Sequence, residues 1–435
     1  MILYSYIFLR YIRFFSRLLI YSTLFFNNPY IYPIATPYKA LVTVPIAEIT
    51  GQPVKVYDKE TPAIQVYNSL PICGKTGEYA CPRIHQLVYN ETVTVLEERN
   101  DEILIQIPHV FYITGVNPHK KIDTYWTLKQ YVTPYNNVVT SKNNSLYIPE
   151  PICHTPSNNV INTTPHQKVI TLMAPYYEPT FKIFFSAGTR FVLQESTTHI
   201  HQKSQDIYTV WAFDPIKKKY SSLSIPKNYA LITHSTPDQQ KKDFLKVVRN
   251  WAHQKNGFIP YVWGGCSVTH LCTDTQFDIL EQHSKNNANV YSYYQWPHYN
   301  YPIQPGLDCA GLINRAAQLC GIPFYYKNSF TIGQKLGQLT QKDTLEEGDI
   351  IWFPGHVIIV SDLKNNLLIE ARGYNHGYGK VHEIPIHEQF KDIKTYDQLI
   401  AAYHAQKPIE RLKRDGAVAS TIYNIKLLKL SSVWS

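Results

Sequence analysis

Two residues of this 435-residue chain have neighbours suited to acyl chemistry, Cys309 and His356. A thiol attacks a carbonyl only as thiolate, so a nucleophilic cysteine needs surroundings that favour negative charge. In Gly306-Leu307-Asp308-Cys309 the aspartate is a natural N-cap and predicts Cys309 at the first helical position. There the unpaired N–H groups and the positive end of the helix dipole face the sulfur. The alternative is a small apolar residue buried at a helix start. His356 follows the turn Pro354-Gly355 and opens an apolar strand, which exposes an imidazole at a strand end. If the next hairpin centres on Leu363, Glu370 lies opposite His356 and can hold its tautomer, as the third member of a triad does. A one-residue slip in that register would turn Glu370 away. His376, His382 and His387 read as solvated, with one of them a substitute for Glu370 as the orienting group.

The elements that must position these groups are legible around them. Thr236-Pro237-Asp238 opens a helix with Phe244, Leu245, Val248 and Trp251 on one side. A second helix follows Asp308, with Ala310, Ile313, Ala317 and Cys320 on one face and Gly321 at its C′ position. Strands are expected at Asp349–Phe353, His356–Val360 and Leu367–Arg372. Between Val268 and Gln304 the chain is polar and aromatic without period, so 266–305 reads as an insertion. The last thirty residues, 406–435, read as a peripheral tail.

Upstream the texture is that of short strands. Glu91–Glu98 (E-T-V-T-V-L-E-E) has an echo in Gly188–Glu195 (G-T-R-F-V-L-Q-E), which points to two copies of one small β-barrel, 40–135 and 161–233, joined by a linker at 136–160. The 34 Tyr and 28 Pro against 19 Gly favour such β-rich modules. Residues 1–39 form a lead-in. In it, Ile2–Leu9 and Leu18–Phe26 are apolar runs with Arg10, Arg13 and Arg17 between them. Neither reaches the about 20 residues of a spanning helix, so residues 1–27 read as an export signal or a membrane-associating segment.

The formal charge of +9 suits a polyanionic neighbour, but no basic stripe with interleaved aromatics marks a nucleic-acid surface. His253, Cys266, His270 and Cys272 have no second ligand pair at zinc spacing, and Gly264-Gly265 lacks the continuation of a phosphate loop. No metal or cofactor is expected. Of seven cysteines, Cys73/Cys81 and Cys266/Cys272 are close enough in sequence to close small loops.

Four segments in this order, P-Y-V-W-G-G (260–265), G-L-D-C-A-G-L (306–312), E-G-D-I-I-W-F-P-G-H-V-I-I-V (347–360) and L-L-I-E-A (367–371), resemble the NlpC family of peptidoglycan cysteine peptidases over about 235–405. The resemblance implies an α+β fold, a papain-like domain preceded by two SH3-like β-barrels. It implies Cys309 as nucleophile, His356 as base and Glu370 as the orienting residue. It further implies hydrolysis of stem peptides between γ-D-glutamate and a diamino acid, in wall or muropeptides, with preference for a free N-terminal L-Ala. Tyr261 and Trp263 would line the cleft and Asp308 would border it. Asn328 and Ser329 stand where such enzymes carry an acid–Ser pair that reads the substrate amine. The chain departs from the family at Ala310, where Ser is usual, at Glu370, where His, Asn or Gln is usual, and at Asn328, which cannot neutralise an ammonium. An envelope location follows, with a cytoplasmic recycling enzyme as the alternative. The departures also fit a degenerate envelope-binding protein, and a related thiol acyltransferase is a third reading.

Overall fold

The computed structural model describes residues 36–56, 58–73, 81–107, 109–138, 147–149, 168–194, 206–233, 236–273 and 303–435. The expected export segment, most of the linker and the centre of the insertion lie outside the described residues. All elements below belong to the unit Tyr38–Ser435.

The first module is an antiparallel sheet of seven strands: β1 (Tyr38–Val42), β2 (Ile46–Thr50), β3 (Arg83–Val88), β4 (Thr92–Arg99), β5 (Glu102–Gln106), β6 (Thr124–Leu128) and β7 (Val132–Pro134). Their spatial order is β3-β2-β6-β5-β4-β1-β7. The second module contains β8 (Val169–Leu172), β9 (Tyr176–Glu178), β10 (Ile183–Phe185), β11 (Arg190–Leu193), β12 (Ile207–Asp214), β13 (Lys219–Pro226) and β14 (Ala230–Ile232). Five of these strands pair in the order β13-β12-β11-β8-β14, and β9 and β10 form a separate hairpin. The order β5-β4-β1-β7 recurs as β12-β11-β8-β14. In both modules a 3₁₀ turn, Lys129–Tyr131 or Lys227–Tyr229, leads into the last strand. The echo in the sequence falls on β4 and β11, each entered through a left-handed residue, Asn90 (φ 72°) and Gly188 (φ 90°). Where barrels were expected, the hydrogen-bonded strands among the described residues form sheets with free end strands.

Among the described residues the third part supplies four helices longer than one turn, a single-turn helix at Ile386–Gln389, and nine strands. Helix α1 (Pro237–Ala252) begins at Thr236 with Pro in its first turn. Helix α2 (Cys309–Leu319) starts at the Asp308 N-cap. It ends in a Schellman pattern, with Gly321 N–H donating to the Gln318 carbonyl and Ile322 N–H to that of Ala317. Gly321 has φ +77°, the left-handed value this cap requires. Helices α3 (Ser329–Lys335) and α4 (Tyr396–His404) follow. The strands are β15 (Cys266–Ser267), β16 (Gly306–Leu307), β17 (Ile350–Phe353), β18 (His356–Asp362), β19 (Leu367–Arg372), β20 (Lys380–Pro385), β21 (Ile409–Leu412), β22 (Val418–Ile422) and β23 (Lys426–Leu428).

The central sheet runs β20-β19-β18-β17-β23, all antiparallel. Alternation along β18 divides two cores. Val357 and Ile359 face α1 and α2, whereas Ile358 and Val360 pack with Leu399 of α4 and Ile409 of β21. Both faces of the sheet are thus covered, and the sequence of β18 reads as an unbroken apolar run for that reason.

Two expectations are corrected. The C-terminal residues are not peripheral: β23 pairs with β17, Leu427 enters one core and Leu428 the other, and Leu430 is fully buried. Each such leucine contributes about 1.5–3 kcal/mol of burial, enough to hold so short a strand. The small cysteine loops are not bridged either. Cys266 and Cys272 are separate buried thiols, and Cys81 Sγ is directed at the Pro71 carbonyl at 3.4 Å rather than bonded to Cys73.

Arg315 of α2 ties the three parts together. It is 1% exposed and donates to Glu91 Oε1 (2.6 Å), the Gln86 carbonyl (3.0 Å) and the Cys266 carbonyl (2.8 Å). Gly188 of the second module lies against it so closely that a Cβ there would stand 2.4 Å from Arg315 Cδ.

Candidate active site

Cys309 occupies the first position of α2, as its context requires. Asp308 caps the helix: its Oδ1 accepts the Gly311 N–H, and its Oδ2 accepts the Gly264 N–H at 2.9 Å. The turn Gly264-Gly265 can press onto the helix start because neither it nor Gly311 carries a side chain. A Cβ at Gly311 would lie 2.0 Å from the Gly265 carbonyl oxygen, and Gly264 has φ +68°. Lys327 Nζ lies 3.4 Å from Asp308 Oδ2, and its side chain is almost fully buried. Cys309 is half-buried as a residue. Its sulfur accepts a hydrogen bond from the backbone N–H of Val357, the residue after His356, so the helix tip meets the start of β18. Burial, and next the Asp308 carboxylate, push the thiol up to about 12 against the opposing pull of the Val357 N–H, Lys327 and Arg411. The depression expected from the helix terminus alone is therefore outweighed by desolvation.

His356 and Glu370 meet, by a register different from the one expected. Ile359 pairs with Ile369 and Val360 with Leu368, and a bulge follows before Asp362. Continued along the ladder, this places Glu370 opposite Ile358, two residues from the expected partner. A shift of two keeps the face, so the carboxylate still reaches the ring: His356 Nε2 lies 2.6 Å from Glu370 Oε2. Glu370 is fully buried. On Oε2 it also accepts from Arg411 Nη2 (3.2 Å) and Gln389 Nε2 (3.4 Å). Arg372 Nη1 is 3.5 Å and His382 Nε2 3.3 Å from Oε1. Burial alone would raise this carboxyl, but the bonds to His356 and His382 and the Arg411 charge hold it well below the usual carboxylate range. Burial, and then the Arg411 charge, bring the imidazole of His356 down to about 4 despite the Glu370 bond. His382, expected in solvent, is instead buried and stacked on Tyr378 at 4.2 Å.

The remaining predicted residues divide into two groups. Tyr261 is buried in the core against which Cys309 packs, and burial followed by the Cys309 charge raises its hydroxyl far above the ordinary value. Trp263 is 43% exposed at the same turn. Its N–H donates to the Ile72 carbonyl (2.8 Å) and its carbonyl accepts from Arg83 Nη1 (3.0 Å), so the first module grips the turn. Arg83 is itself buried against Glu48 at 2.6 Å. Asn328 caps α3: Oδ1 accepts from the Thr331 N–H (2.8 Å) and hydroxyl (2.6 Å), and Nδ2 donates to the Ile113 carbonyl at 3.4 Å. The Ser329 carbonyl accepts from Trp352 Nε1 at 2.6 Å. Asn328 and Ser329 thus fasten α3 to the first module and to β17, one and two residues beyond Lys327. Sequence reasoning missed Lys327, Arg372, Gln389 and Arg411. Only Arg411 carried a signal, as a charge inside the apolar alternation Ile409-Glu410-Arg411-Leu412.

No protein-family model matches the chain, and no curated protein matches it. Among solved structures it is similar to an NlpC/P60 family protein from Bacillus cereus ATCC 10987, at 15% identity over 80% of this chain and 94% of that one, with a TM-score of 0.46. It is also similar to NlpC2 from Trichomonas vaginalis (12% identity, 80% and 92% covered, TM-score 0.27). The peptidoglycan hydrolase RipB from Mycobacterium tuberculosis matches at 22% identity over 34% of this chain and 62% of that one, with a TM-score of 0.21. Likenesses this distant assign no activity. Among the described residues no helix is long and apolar enough to cross a membrane.

Proposed function

We propose that this chain is a cysteine peptidase that cleaves peptidoglycan stem peptides between γ-D-glutamate and the following diamino acid. The observation that carries the reading is the meeting of α2 and β18. The Cys309 thiol accepts the Val357 N–H, and the neighbouring His356 is held at Nε2 by a buried carboxylate. With Nε2 committed to Glu370, Nδ1 is the nitrogen left to take the thiol proton. The directions of the two shifts give a neutral thiol and a neutral imidazole at rest, so proton transfer accompanies attack rather than preceding it. The sulfur then bonds the glutamyl carbonyl carbon, the amine leaves with a proton returned by His356, and water releases the acyl group. The Cys309 N–H at the helix start is suited to the developing oxyanion.

Tyr261 and the half-exposed Trp263 form an aromatic wall for the stem peptide. Because the Asn328 amide serves the α3 cap and carries no charge, selection of a free N-terminal amine is weak in this reading, and longer stems are accepted. The repeated strand order and the 3₁₀ turn before each last strand support SH3-like identity for the two upstream modules, and such a substrate sets the enzyme in the cell envelope. The rival, an envelope-binding protein with a spent site, is favoured by the employment of Asn328 in a cap. Mass spectrometry of muropeptides after incubation with wild type and Cys309→Ala separates them. Wild type should release fragments ending in D-glutamate and Cys309→Ala none; equal digests would end the peptidase reading.

A further inference from the structure

The C-terminal hairpin reaches the site through one side chain. Arg411 on β21 is 6% exposed, and its guanidinium touches two groups that both touch His356. It lies 3.2 Å from Glu370 Oε2, the oxygen that also meets His356 Nε2. It also sits over the ring of Phe353 at 4.9 Å, and that ring packs against His356 with centroids 5.4 Å apart. Arg372 resembles it in charge and differs in attachment, since its Nη1 is bound to Gln389 Oε1 at 2.6 Å and its Nη2 to the Leu412 carbonyl.

We propose that Arg411 is a positioning residue of this site, pressing the Glu370 carboxylate and the Phe353 ring onto His356 from the C-terminal hairpin. The proposal rests on the reading of Cys309 and His356 as the reacting pair. Among the described residues, Glu370 and Arg372 on β19 and Arg411 on β21 act on the imidazole directly, and His382 on β20 joins them at the Glu370 carboxylate. Two guanidiniums against one carboxylate leave a net positive surrounding that resists a further proton on the ring. Arg411 therefore has two separable duties. Its charge adds to burial in disfavouring a proton on His356, and its planar fork keeps Glu370 and Phe353 in place.

The test uses the full chain. Histidine ring signals are followed by NMR through a pH titration in wild type, Arg411→Gln and Arg411→Lys, with His356→Gln assigning the resonance. Removing a like charge at this range should raise the His356 midpoint by about 1–3 pH units in Arg411→Gln. Arg411→Lys should stay within about half a unit of wild type, because the charge remains. A midpoint unmoved in Arg411→Gln overturns the proposal. If Arg411→Gln does not fold, Arg411→Lys decides by kinetics: loss of the fork should lower kcat about tenfold with KM unchanged, and an unchanged kcat overturns the proposal. Absence of Cys309-dependent hydrolysis in wild type would count against the peptidase reading instead, and the titration would still judge the hold of Arg411 on His356.

Discussion

The pH dependence of Cys309 alkylation follows directly from the site. Burial and the Asp308 carboxylate push the thiol up to about 12, and His356, brought down to about 4, is uncharged at neutral pH and offers no counter-ion. The thiolate fraction at pH 7 is then about 10⁻⁵, and it rises tenfold per pH unit. An unperturbed exposed thiol near 8.5 has about 3,000 times more thiolate at that pH. The more basic thiolate is intrinsically more nucleophilic by a factor of about 3 per unit of pKa, which recovers about 40-fold. Iodoacetamide should therefore modify Cys309 roughly 50- to 100-fold more slowly than a free cysteine at pH 7. The logarithm of the rate should climb with slope about 1 from pH 6 to 9. Peptide-resolved mass spectrometry at limiting reagent reads this rate at Cys309 apart from the other thiols. A plateau below pH 8 would mean a preformed thiolate–imidazolium pair, and the account of a neutral resting site would be wrong.

Two further outcomes concern stability. His109 and His356 are both buried and brought down to about 4, chiefly by burial. The unfolded chain binds more protons than the folded one between their ordinary value near 6.5 and about 4, so stability falls as pH drops through that window. Each costs about 2 kcal/mol by pH 5, and the urea midpoint should be clearly lower at pH 5 than at pH 7.5; an equal midpoint would count against neutral burial. Arg315→Met strips Glu91 and the Gln86 and Cys266 carbonyls of a buried partner and should destabilise the body by about 3–5 kcal/mol in denaturant unfolding, while a loss under 1 kcal/mol would show that the three parts do not depend on this joint.

The candidate residues Cys309 and His356 are legible in the sequence because each sits where local rules are strong. Asp308 before an apolar period marks an N-cap, Gly321 marks the helix end, and Pro354-Gly355 before an apolar run marks a strand that begins at His356. Glu370 was found through a hairpin register that was wrong by two residues. Strand periodicity protected the conclusion, because an even slip preserves the face. What stayed hidden depends on long-range contact. Arg411 meets Glu370 across 41 positions, and Lys327 meets Asp308 through a loop that carries no pattern of its own. The strand Lys426–Leu428 is not legible because three residues, Lys-Leu-Leu, are too few to show alternation. The raised thiol was missed for a different reason: helix-dipole arguments count the nearby N–H groups, while the cost of leaving water depends on everything packed around the sulfur.

The central claim is that the Cys309 sulfur itself carries the acyl group. The direct measurement is acid quench of the enzyme during turnover of a stem peptide, followed by digestion and mass spectrometry of the fragment holding Cys309. The account predicts a thioester adduct of the glutamyl fragment on that cysteine in wild type, and none on the corresponding fragment of Cys309→Ala, which also fails to release product. Release of product by Cys309→Ala at the wild-type rate would contradict it.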